Sequence, residues 1–547
     1  MNKSTDISDP LLETAGEATG IRDFLVSPGR EILQNLLVAY LPKQRWFGAK
    51  SRTIKGVDVL DAAELSDDAA LVFLQLTYDD DSTNVYHLPL AISGREEAAS
   101  VRSANPAGIV GAVTTPKGPA IVHDGVGRED VRQAILSLIA GNGELRTQRG
   151  VLHGHSSSAF ATIRGDGPLP GRTGSAEQSN TSILFGGKLI MKLFRRLQPG
   201  ENPDTEIGRF LTEVAHFARI APFLGDITLN ADSGDATTVA MLQGLVANDG
   251  DGWEWTLNTL SAYYERVATI PPPKSSGAAA GFLAEEETLD PDAGIAGPYL
   301  AAAALLGQRT AEMHLALATP TDDPAFVAEP FTGDDLIADA SRIETQLSLS
   351  LEGLQRGLAQ LSGSAAEDAA VVLKRSDDLF SRARAIASAR PADFGQRTRI
   401  HGDYHLGQVL VSGGDYTILD FEGEPARSLA ARRAKQSPLK DVAGMLRSFG
   451  YAAYAGLNAF ALARPEEAKS LEPWARLWQN AVSAEYLRAY RKSIAAGIPR
   501  LIPQPAQAEM LLNAYLLEKA LYELLYELDN RPAWIRIPLS GILTLLR

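Results

Sequence analysis

The sequence predicts an α+β protein with a strand-rich first half and a mostly helical second half. Alternating apolar and polar residues at 70–77 and 85–92, separated by Asp and Gly breakers, are typical of short antiparallel strands. Helical periodicity dominates later, at 299–317, 334–361, 369–389 and 509–528. A length of 547 residues, with 45% hydrophobic and 22% charged residues, indicates a globular protein of roughly three or four compact units.

Shifts in pattern predict three units, at 1–130, 131–247 and 248–547. In the first, an amphipathic helix ends at Tyr40 and precedes a segment in which Trp46 and Phe47 lie between basic residues. We expect this helix to pack under a sheet. Residues 271–297, rich in Pro and Gly with an acidic run, are predicted to form an exposed, mobile insertion.

Charge and composition exclude several classes of function. The formal net charge of −15 repels phosphate polymers, so we expect no nucleic-acid partner. The absence of cysteine removes disulfides, thiolate nucleophiles and zinc–thiolate sites, and fits a reducing compartment. The polar N-terminus and the lack of a long apolar run predict a soluble, cytoplasmic protein without membrane contact.

One strand–turn–strand segment interrupts the helical half. Two β-prone runs, 409–412 and 416–419, flank a Gly-Gly-Asp sequence that predicts a hairpin. A turn centred on the second glycine places Gln408 opposite Asp420, and Asp403 lies on the loop just before the hairpin.

This arrangement provides the groups that phosphoryl transfer requires. Gln408 and Asp420 offer hard oxygen donors, which Mg²⁺ prefers. Asp403 is then available to accept a proton from a substrate hydroxyl. An acid, an amide, a hairpin and a second acid, in that order, are typical of protein-kinase-like phosphotransferases, although asparagine is commoner than glutamine at the amide position.

Two other interpretations of this segment stay open. His401, Asp403 and His405 could simply satisfy the polar groups of a buried loop. Alternatively, the same three residues could bind a transition metal in a hydrolase. The hydrolase interpretation leaves Asp420 without a role and needs further ligands.

A kinase also needs a lysine that binds phosphate and a carboxylate that orients it. Lys192 lies in the alternating strand 189–194, and a helix begins about fourteen residues later. Of its acidic residues, Glu206 and Glu213, we select Glu206 as the partner of Lys192. A lysine on an exposed sheet edge is the alternative.

The phosphate-covering loop lacks a full glycine-rich motif. Ser179, Asn180 and Thr181 must therefore contact the phosphates, through their backbone amides among other groups. Gln243 and Leu245, near the end of a strand, are candidates for the adenine contact by position alone. A linker between domains explains that last segment equally well.

The helix 509–528 carries a face suited to a sugar. Tyr515, Lys519, Tyr522 and Tyr526 recur at spacings of 4, 3 and 4 residues, with Glu523 beside them. Aromatic rings stack on the C–H faces of sugars, and charged groups bind the hydroxyls. The alternative is a tyrosine stripe that packs against another helix.

These motifs resemble those of bacterial maltokinases, a branch of the aminoglycoside-phosphotransferase-like kinases. The resemblance begins near residue 35 and extends to the C-terminus. It rests on HGDYHLGQVL, ILDFEGEP, AEQSNTSIL, ENPDTEI, LGQRTAEMHLAL and EKALYELLYELDNRPAW, while LPKQRWFGAKSRTI resembles the start of that family's N-terminal cap domain.

The resemblance implies a bilobal protein-kinase-like fold with an N-terminal cap at 1–130, a nucleotide-binding lobe at 131–247 and a helical C-terminal lobe at 248–547. It implies transfer of phosphate from ATP to maltose with Mg²⁺, giving maltose 1-phosphate for α-glucan synthesis from trehalose. Association with trehalose synthase is a further expectation. A kinase for glucosamine or another small sugar, and a non-catalytic pseudokinase, are the alternatives.

The resemblance also assigns roles to individual residues. Asp403 is the implied catalytic base, Gln408 and Asp420 are the magnesium ligands, and Lys192 with Glu206 binds phosphate. The resemblance assigns Lys519, Tyr522, Glu523 and Tyr526 to the acceptor sugar, and we add His401, Asp403 and Glu422 as candidate substrate residues.

Overall fold

The structure of the protein, a computed structural model, describes residues 20–174, 179–232, 234–273, 281–282, 295–462, 464–497 and 500–546. Most of the predicted insertion at 271–297 lies outside the described residues, as do residues 175–178 of the predicted phosphate-covering loop. In the described part of the chain, every helix is too short or too polar to serve as a membrane span.

The chain divides into two compact units by its internal contacts. The first comprises Met1–Glu213 and Ala221–Val246, and the second comprises Val214–Ile220 and Ala247–Arg547. The finer boundary near residue 130 stays a prediction.

The first unit begins with a twisted antiparallel sheet in the order β1-β2-β3-β5-β4, to which the short strand β11 adds by pairing with β3. Helix α1 packs on one face, as the sequence predicts, through Leu33, Leu37 and Tyr40. The elements are β1 (Ile54–Ser66), β2 (Ala69–Tyr78), β3 (Thr83–Gly94), β4 (Ile109–Thr115), β5 (Gly118–Asp124), β11 (Arg196–Leu197), α1 (Gly29–Tyr40), α2 (Arg95–Ala104) and α3 (Glu129–Ala140).

Strand β2 is apolar on both faces because both faces are covered. Val72 and Leu74 belong to the core beneath α1, whereas the alternate residues Leu71 and Phe73 belong to the core of the second sheet. The first sheet is thus packed between α1 and the rest of its own unit.

The second sheet of this unit is also antiparallel, with the order β6-β7-β12-β13-β10-β9-β8. Helix α5 begins at Pro203, a residue well suited to the first position of a helix, and ends at Glu213. The elements are β6 (Glu144–Arg146), β7 (Gly150–Ser156), α4 (Phe160–Arg164), β8 (Gly171–Thr173), β9 (Asn180–Phe185), β10 (Leu189–Phe194), α5 (Pro203–Glu213), β12 (Phe223–Ala231) and β13 (Thr237–Gly244).

The second unit is helical around the buried helix α12, and its described residues include a short hairpin, β16–β17. The predicted helix 369–389 is two helices that meet at Arg375. The elements are α6 (Gly252–Val267), α7 (Tyr299–Leu317), β14 (Glu329–Pro330), α8 (Gly333–Gly357), α9 (Gly363–Lys374), α10 (Ser376–Ala387), β15 (Gln396–Arg397), β16 (Val409–Ser412), β17 (Asp415–Ile418), α11 (Leu429–Arg433), α12 (Leu439–Ala461), α13 (Ala468–Ile494), α14 (Pro505–Asn530) and α15 (Arg536–Leu545).

Candidate active site

The hairpin forms where the sequence predicts it, but its turn is one residue shorter than predicted, which shifts the register by one. Gly413 and Gly414 have φ angles of 56° and 81°, so the two glycines alone make the turn. Ser412 consequently lies opposite Asp415. The predicted register, centred on Gly414, was wrong because it counted Asp415 as part of the turn.

Gln408 and Asp420 nevertheless meet just beyond the paired residues. The Leu419 N–H donates to the Gln408 carbonyl at 2.9 Å, which extends the ladder. Asp420 then leaves the strand with a φ of 66°, and its Oδ2 accepts a hydrogen bond from Gln408 Nε2 at 3.0 Å. An amide and a carboxylate held side by side supply the hard oxygen donors that fit Mg²⁺.

Asp441 on α12 fixes the backbone of the loop that carries Asp403. The backbone N–H groups of His401 and Gly402 both donate to the Asp441 carboxylate at 2.8 Å. Burial opposes the charge of this carboxylate, but His314 and the backbone donors outweigh burial and keep the pKa of Asp441 below its usual value.

His401 has a structural position rather than the substrate contact that the sequence analysis assigns to it. The residue is 1% exposed. Its Nε2 bonds the Leu419 carbonyl at 2.8 Å, and the Asp403 N–H donates to its Nδ1 at 3.4 Å. Because both ring nitrogens are engaged inside the protein, His401 is available neither to a sugar nor to a transition metal, so the hydrolase interpretation fails.

Asp403 pairs with a lysine from the predicted sugar helix. Lys519 Nζ on α14 donates to Asp403 Oδ1 and to Glu424 Oε1, each at 3.2 Å. Burial alone would lower the pKa of Lys519, but the two carboxylates outweigh burial and raise it well above its usual value. Lys519 is therefore a permanent cation beside Asp403.

A cleft of about 380 Å³ opens beside this pair, within the size range of small-molecule sites. We call it the acceptor cleft. It is lined by Asp403, His405, Glu424, Pro425, Tyr451, Lys519, Tyr522, Glu523, Tyr526, Glu527 and Arg531.

The cleft is aromatic along α14. Tyr522 and Tyr526 are 41% and 45% exposed, and Lys519 Nζ lies 5.4 Å from the Tyr522 ring centre. Tyr515, of the same predicted face, is instead buried and donates its hydroxyl to Asp339 at 2.7 Å. The alternative interpretation, helix packing, thus applies to Tyr515.

Arginines pair with the two further carboxylates of the cleft. Arg447 Nε and Nη2 donate to Glu523 Oε2 at 2.9 and 2.6 Å. Arg531 donates to both oxygens of Glu527 at 3.0 and 2.7 Å. Glu523 therefore lines the cleft, as predicted, but as half of an ion pair. Glu422, also predicted to contact the sugar, is absent from this lining and lies 3.9 Å from Arg432.

In the first unit, Lys192 forms a buried ion pair with a carboxylate of α5. Lys192 Nζ lies 3.0 Å from Asp204 Oδ2, and the two side chains are 14% and 1% exposed. Glu206, the partner predicted from the sequence, is buried in the same first helical turn. Its role as a partner of Lys192 stays a prediction, whereas Asp204 is the carboxylate that the sequence analysis missed.

The other predicted nucleotide residues lie at strand ends. Ser179 is exposed, Asn180 begins β9, and Thr181 follows it. Gln243 lies near the end of β13, and the backbone N–H of Leu245 donates to the Lys188 carbonyl at 2.8 Å. That N–H is therefore not available to a purine ring.

The site contains further residues that sequence reasoning did not select. Glu424 and Arg531 lie in segments already singled out, and their charges were a usable signal. Arg447 and Asp441 have partners far away in the sequence, on α14 and on the loop that carries Asp403, so no local pattern distinguishes them. Glu527 pairs with Arg531 four residues later, but its contact with Tyr451 of α12 follows only from the fold.

Comparison with known proteins supports the prediction that the protein is a kinase. The family model of the maltokinase N-terminal cap domain matches residues 40–127. The glucosamine kinase of Streptacidiphilus jiangxiensis is 26% identical over 385 residues, which cover 70% of this chain and 75% of that protein. The glucosamine kinase of Mycolicibacterium smegmatis (strain ATCC 700084 / mc(2)155) is 25% identical over 390 residues, covering 71% and 82%.

A solved structure has the same fold. A glucosamine kinase in complex with glucosamine, ADP and inorganic phosphate aligns with a TM-score of 0.60 at 19% identity, covering 94% of this chain and 99% of that one. The predicted α+β kinase fold with an N-terminal cap is confirmed. The chain therefore carries a maltokinase-type N-terminal cap on a kinase fold, and the comparisons support an ATP-dependent sugar phosphotransferase.

Proposed function

We propose that the protein transfers the γ-phosphoryl group of ATP to the anomeric hydroxyl of maltose, giving maltose 1-phosphate and ADP. The maltokinase-type cap and the resemblance of the motifs support this acceptor. The observation that carries the proposal is the charge pairing in the acceptor cleft.

The cleft suits a neutral sugar better than an amino sugar. Among its described lining residues, every carboxylate has a cationic partner: Lys519 for Asp403 and Glu424, Arg447 for Glu523, and Arg531 for Glu527. A protonated amine on glucosamine would have to displace one of these cations or lie beside it. A neutral acceptor avoids that repulsion and still finds charged partners for its hydroxyls.

The aromatic lining supports an acceptor with more than one ring. Tyr522 and Tyr526 are four residues apart on one helix, so they are separated by about 6 Å along its axis. Two exposed rings at that separation offer stacking surfaces for two consecutive sugar units.

In the proposed mechanism Asp403 is the general base. Lys519 holds its Oδ1, which leaves Oδ2 as the proposed acceptor of the proton from the anomeric hydroxyl. The hydroxyl oxygen forms a bond to the γ-phosphorus as the bond from that phosphorus to the β-phosphate oxygen breaks. Positioning and charge stabilisation supply most of the catalysis in such reactions.

Mg²⁺, an expected cofactor, would be held by Gln408 and Asp420, and when bound it neutralises charge on the phosphate oxygens. Lys192 is the proposed phosphate-binding cation of the first unit, and Asp204 orients its ammonium group. We retain Glu206 as a further proposed partner, and Ser179, Asn180 and Thr181 as proposed phosphate contacts.

Glucosamine or another small sugar is the second candidate acceptor, favoured by the similarity to two glucosamine kinases. A pseudokinase is disfavoured because Lys192, Asp403, Gln408 and Asp420 are all present. A glycosyl phosphate is an activated donor, so we propose that a glycosyl transfer leading to α-glucan consumes the product. The supply of maltose from trehalose, and association with trehalose synthase, complete this proposal.

The choice of acceptor is tested by removing the cation beside Asp403. We expect Lys519→Met to lower kcat/KM for maltose while the KM for ATP changes less than twofold. Because Asp403 then loses its cationic partner and becomes open to an ammonium group, the ratio of glucosamine to maltose turnover should rise. Lys519→Arg, the matched control, keeps the charge and should keep the preference for maltose. A wild-type protein with higher kcat/KM for glucosamine than for maltose would overturn the proposal.

A further inference from the structure

A buried arginine joins the two sheets of the first unit. Arg195 follows β10 and is 1% exposed. Its Nη2 lies 2.6 Å from Oδ2 of Asp124, the last residue of β5, and the Asp124 side chain is 5% exposed. The charge of Arg195 is therefore neutralised by a residue of the first sheet, although Arg195 itself follows a strand of the second.

The segment between α1 and β1 supplies an aromatic surface for this arginine. The guanidinium carbon of Arg195 lies 4.8 Å from the centre of the Trp46 ring, at a distance suited to a cation–π contact. Trp46 in turn packs on Tyr86 of β3, with ring centres 6.1 Å apart. The conspicuous aromatic segment near residue 46 thus has a specific partner.

The remaining contact of Arg195 reaches the start of β9. Arg195 Nε donates to Thr181 Oγ1 at 2.8 Å. Thr181 pairs with Leu193, whereas Lys192 pairs with the neighbouring Ser182. Because side chains alternate along a strand, Thr181 and Lys192 point to opposite faces of the sheet. Arg195 therefore holds the beginning of β9 from the face opposite Lys192.

Stability is a poor explanation for this arrangement. A fully buried ion pair is weak evidence for stability, because desolvation opposes the attraction between the charges. Arg195 also has a buried Nη1 with no hydrogen-bond partner among the residues described, which adds a further cost. Three directed contacts on one guanidinium group instead fix the position of Thr181.

We propose that Arg195 is a positioning residue for nucleotide binding, held in place by Asp124 of the first sheet and by Trp46 of the segment that precedes this sheet. This inference rests on the proposed role of Ser179, Asn180 and Thr181 as phosphate contacts. The cap domain is then part of the ATP-binding machinery. Loss of the contacts that Asp124 and Trp46 make with Arg195 weakens ATP binding and leaves acceptor binding intact.

The test measures KM values and ADP affinity by calorimetry in the full-length protein. Asp124→Asn and Trp46→Leu should each raise the KM for ATP and the dissociation constant of ADP roughly tenfold or more. The KM for the acceptor should stay within twofold. The matched control is Asp61→Asn, a buried carboxylate of β1 that bonds Thr147 Oγ1 at 2.5 Å and Gln148 N at 2.8 Å and does not contact Arg195. It should leave the KM for ATP unchanged.

Variants of Thr181 give a second measurement that leaves the ion pair in place. Thr181→Val removes the hydroxyl that accepts from Arg195 and should weaken ADP binding as Asp124→Asn does, whereas Thr181→Ser keeps the hydroxyl and should bind ADP more tightly than Thr181→Val. The inference is wrong if Asp124→Asn and Thr181→Val bind ADP as tightly as Asp61→Asn, while Lys192→Ala binds it weakly. If Lys192→Ala also binds ADP normally, the proposed nucleotide site itself is misplaced.

Discussion

At the scale of single residues, the proposed chemistry depends on Asp403 and the groups that hold it. Two backbone N–H groups of its loop are fixed by the buried Asp441, and its Oδ1 is fixed by Lys519. A base needs this fixed geometry before its basicity can matter. The sequence identifies Asp403 from its spacing to Gln408 and Asp420, but the support from Asp441 follows only from the fold.

Asp403→Asn keeps the size of the side chain and removes the proton acceptor. We expect turnover of the sugar to fall by about 10² to 10⁴, while ADP affinity stays within twofold. Calorimetry with ADP and a coupled assay for ADP release measure the two quantities. Turnover equal to that of the wild type would remove Asp403 as the base.

At the scale of elements, the hairpin shows why a residue pair can be predicted while its register is missed. The sequence places two strands around glycine, yet only the φ angles decide whether the turn has two residues or three. Gln408 and Asp420 still meet because Asp420 leaves the strand with a positive φ. Helix α14 was predicted nearly to its ends, but the burial of Tyr515 depends on α8, which no local pattern reveals.

The turn makes a prediction about stability. A Cβ on Gly413 would meet nothing within 4 Å, so a substitution there costs only backbone conformation. Gly413→Val should lower the free energy of unfolding by about 1–2 kcal/mol, whereas Gly413→Asn should remain close to the wild type. Urea unfolding measures both variants, and equal losses for Val and Asn would show that the backbone conformation is not the cause.

The tyrosine face of α14 makes a prediction about the acceptor. Tyr526 is seven residues beyond Lys519, and Tyr522 only three, so Tyr526 is expected to contact the second sugar ring. Tyr526→Ala should raise the KM for maltose about 2- to 12-fold and leave competitive inhibition by glucose unchanged. Tyr526→Phe keeps the ring and serves as the control. An equal effect on both sugars would place Tyr526 beside the first ring.

At the scale of the whole molecule, the order of a strand-rich half and a helical half could be predicted, because periodicity is a local property. The pairing of Arg195 with Asp124 and of Lys192 with Asp204 could not, because it depends on how strands and helices pack. Glu206 was selected by its place in the expected helix. Asp204, two residues earlier, is the carboxylate found at ion-pair distance from Lys192.

The first unit should lose stability in acid. Burial lowers the pKa of His87 to about 3, so below pH 6.5 the unfolded chain binds a proton that the folded state excludes. Protonation of His87 in the unfolded chain should therefore lower the free energy of unfolding by roughly 1.4 kcal/mol for each unit by which the pH decreases. Between pH 7 and pH 5, the free energy of unfolding of His87→Leu should fall by about 2 kcal/mol less than that of the wild type. Urea unfolding at both pH values measures the difference, and equal losses would contradict the assignment.

The most direct test of the whole account offers the protein ATP, Mg²⁺ and equimolar maltose and glucosamine, and follows the products by phosphorus NMR with an assay for ADP. We predict a signal coupled to the anomeric proton of maltose, formed in step with ADP and absent from Asp403→Asn. Phosphorylated glucosamine as the main product, or no ADP with either sugar, would contradict the account.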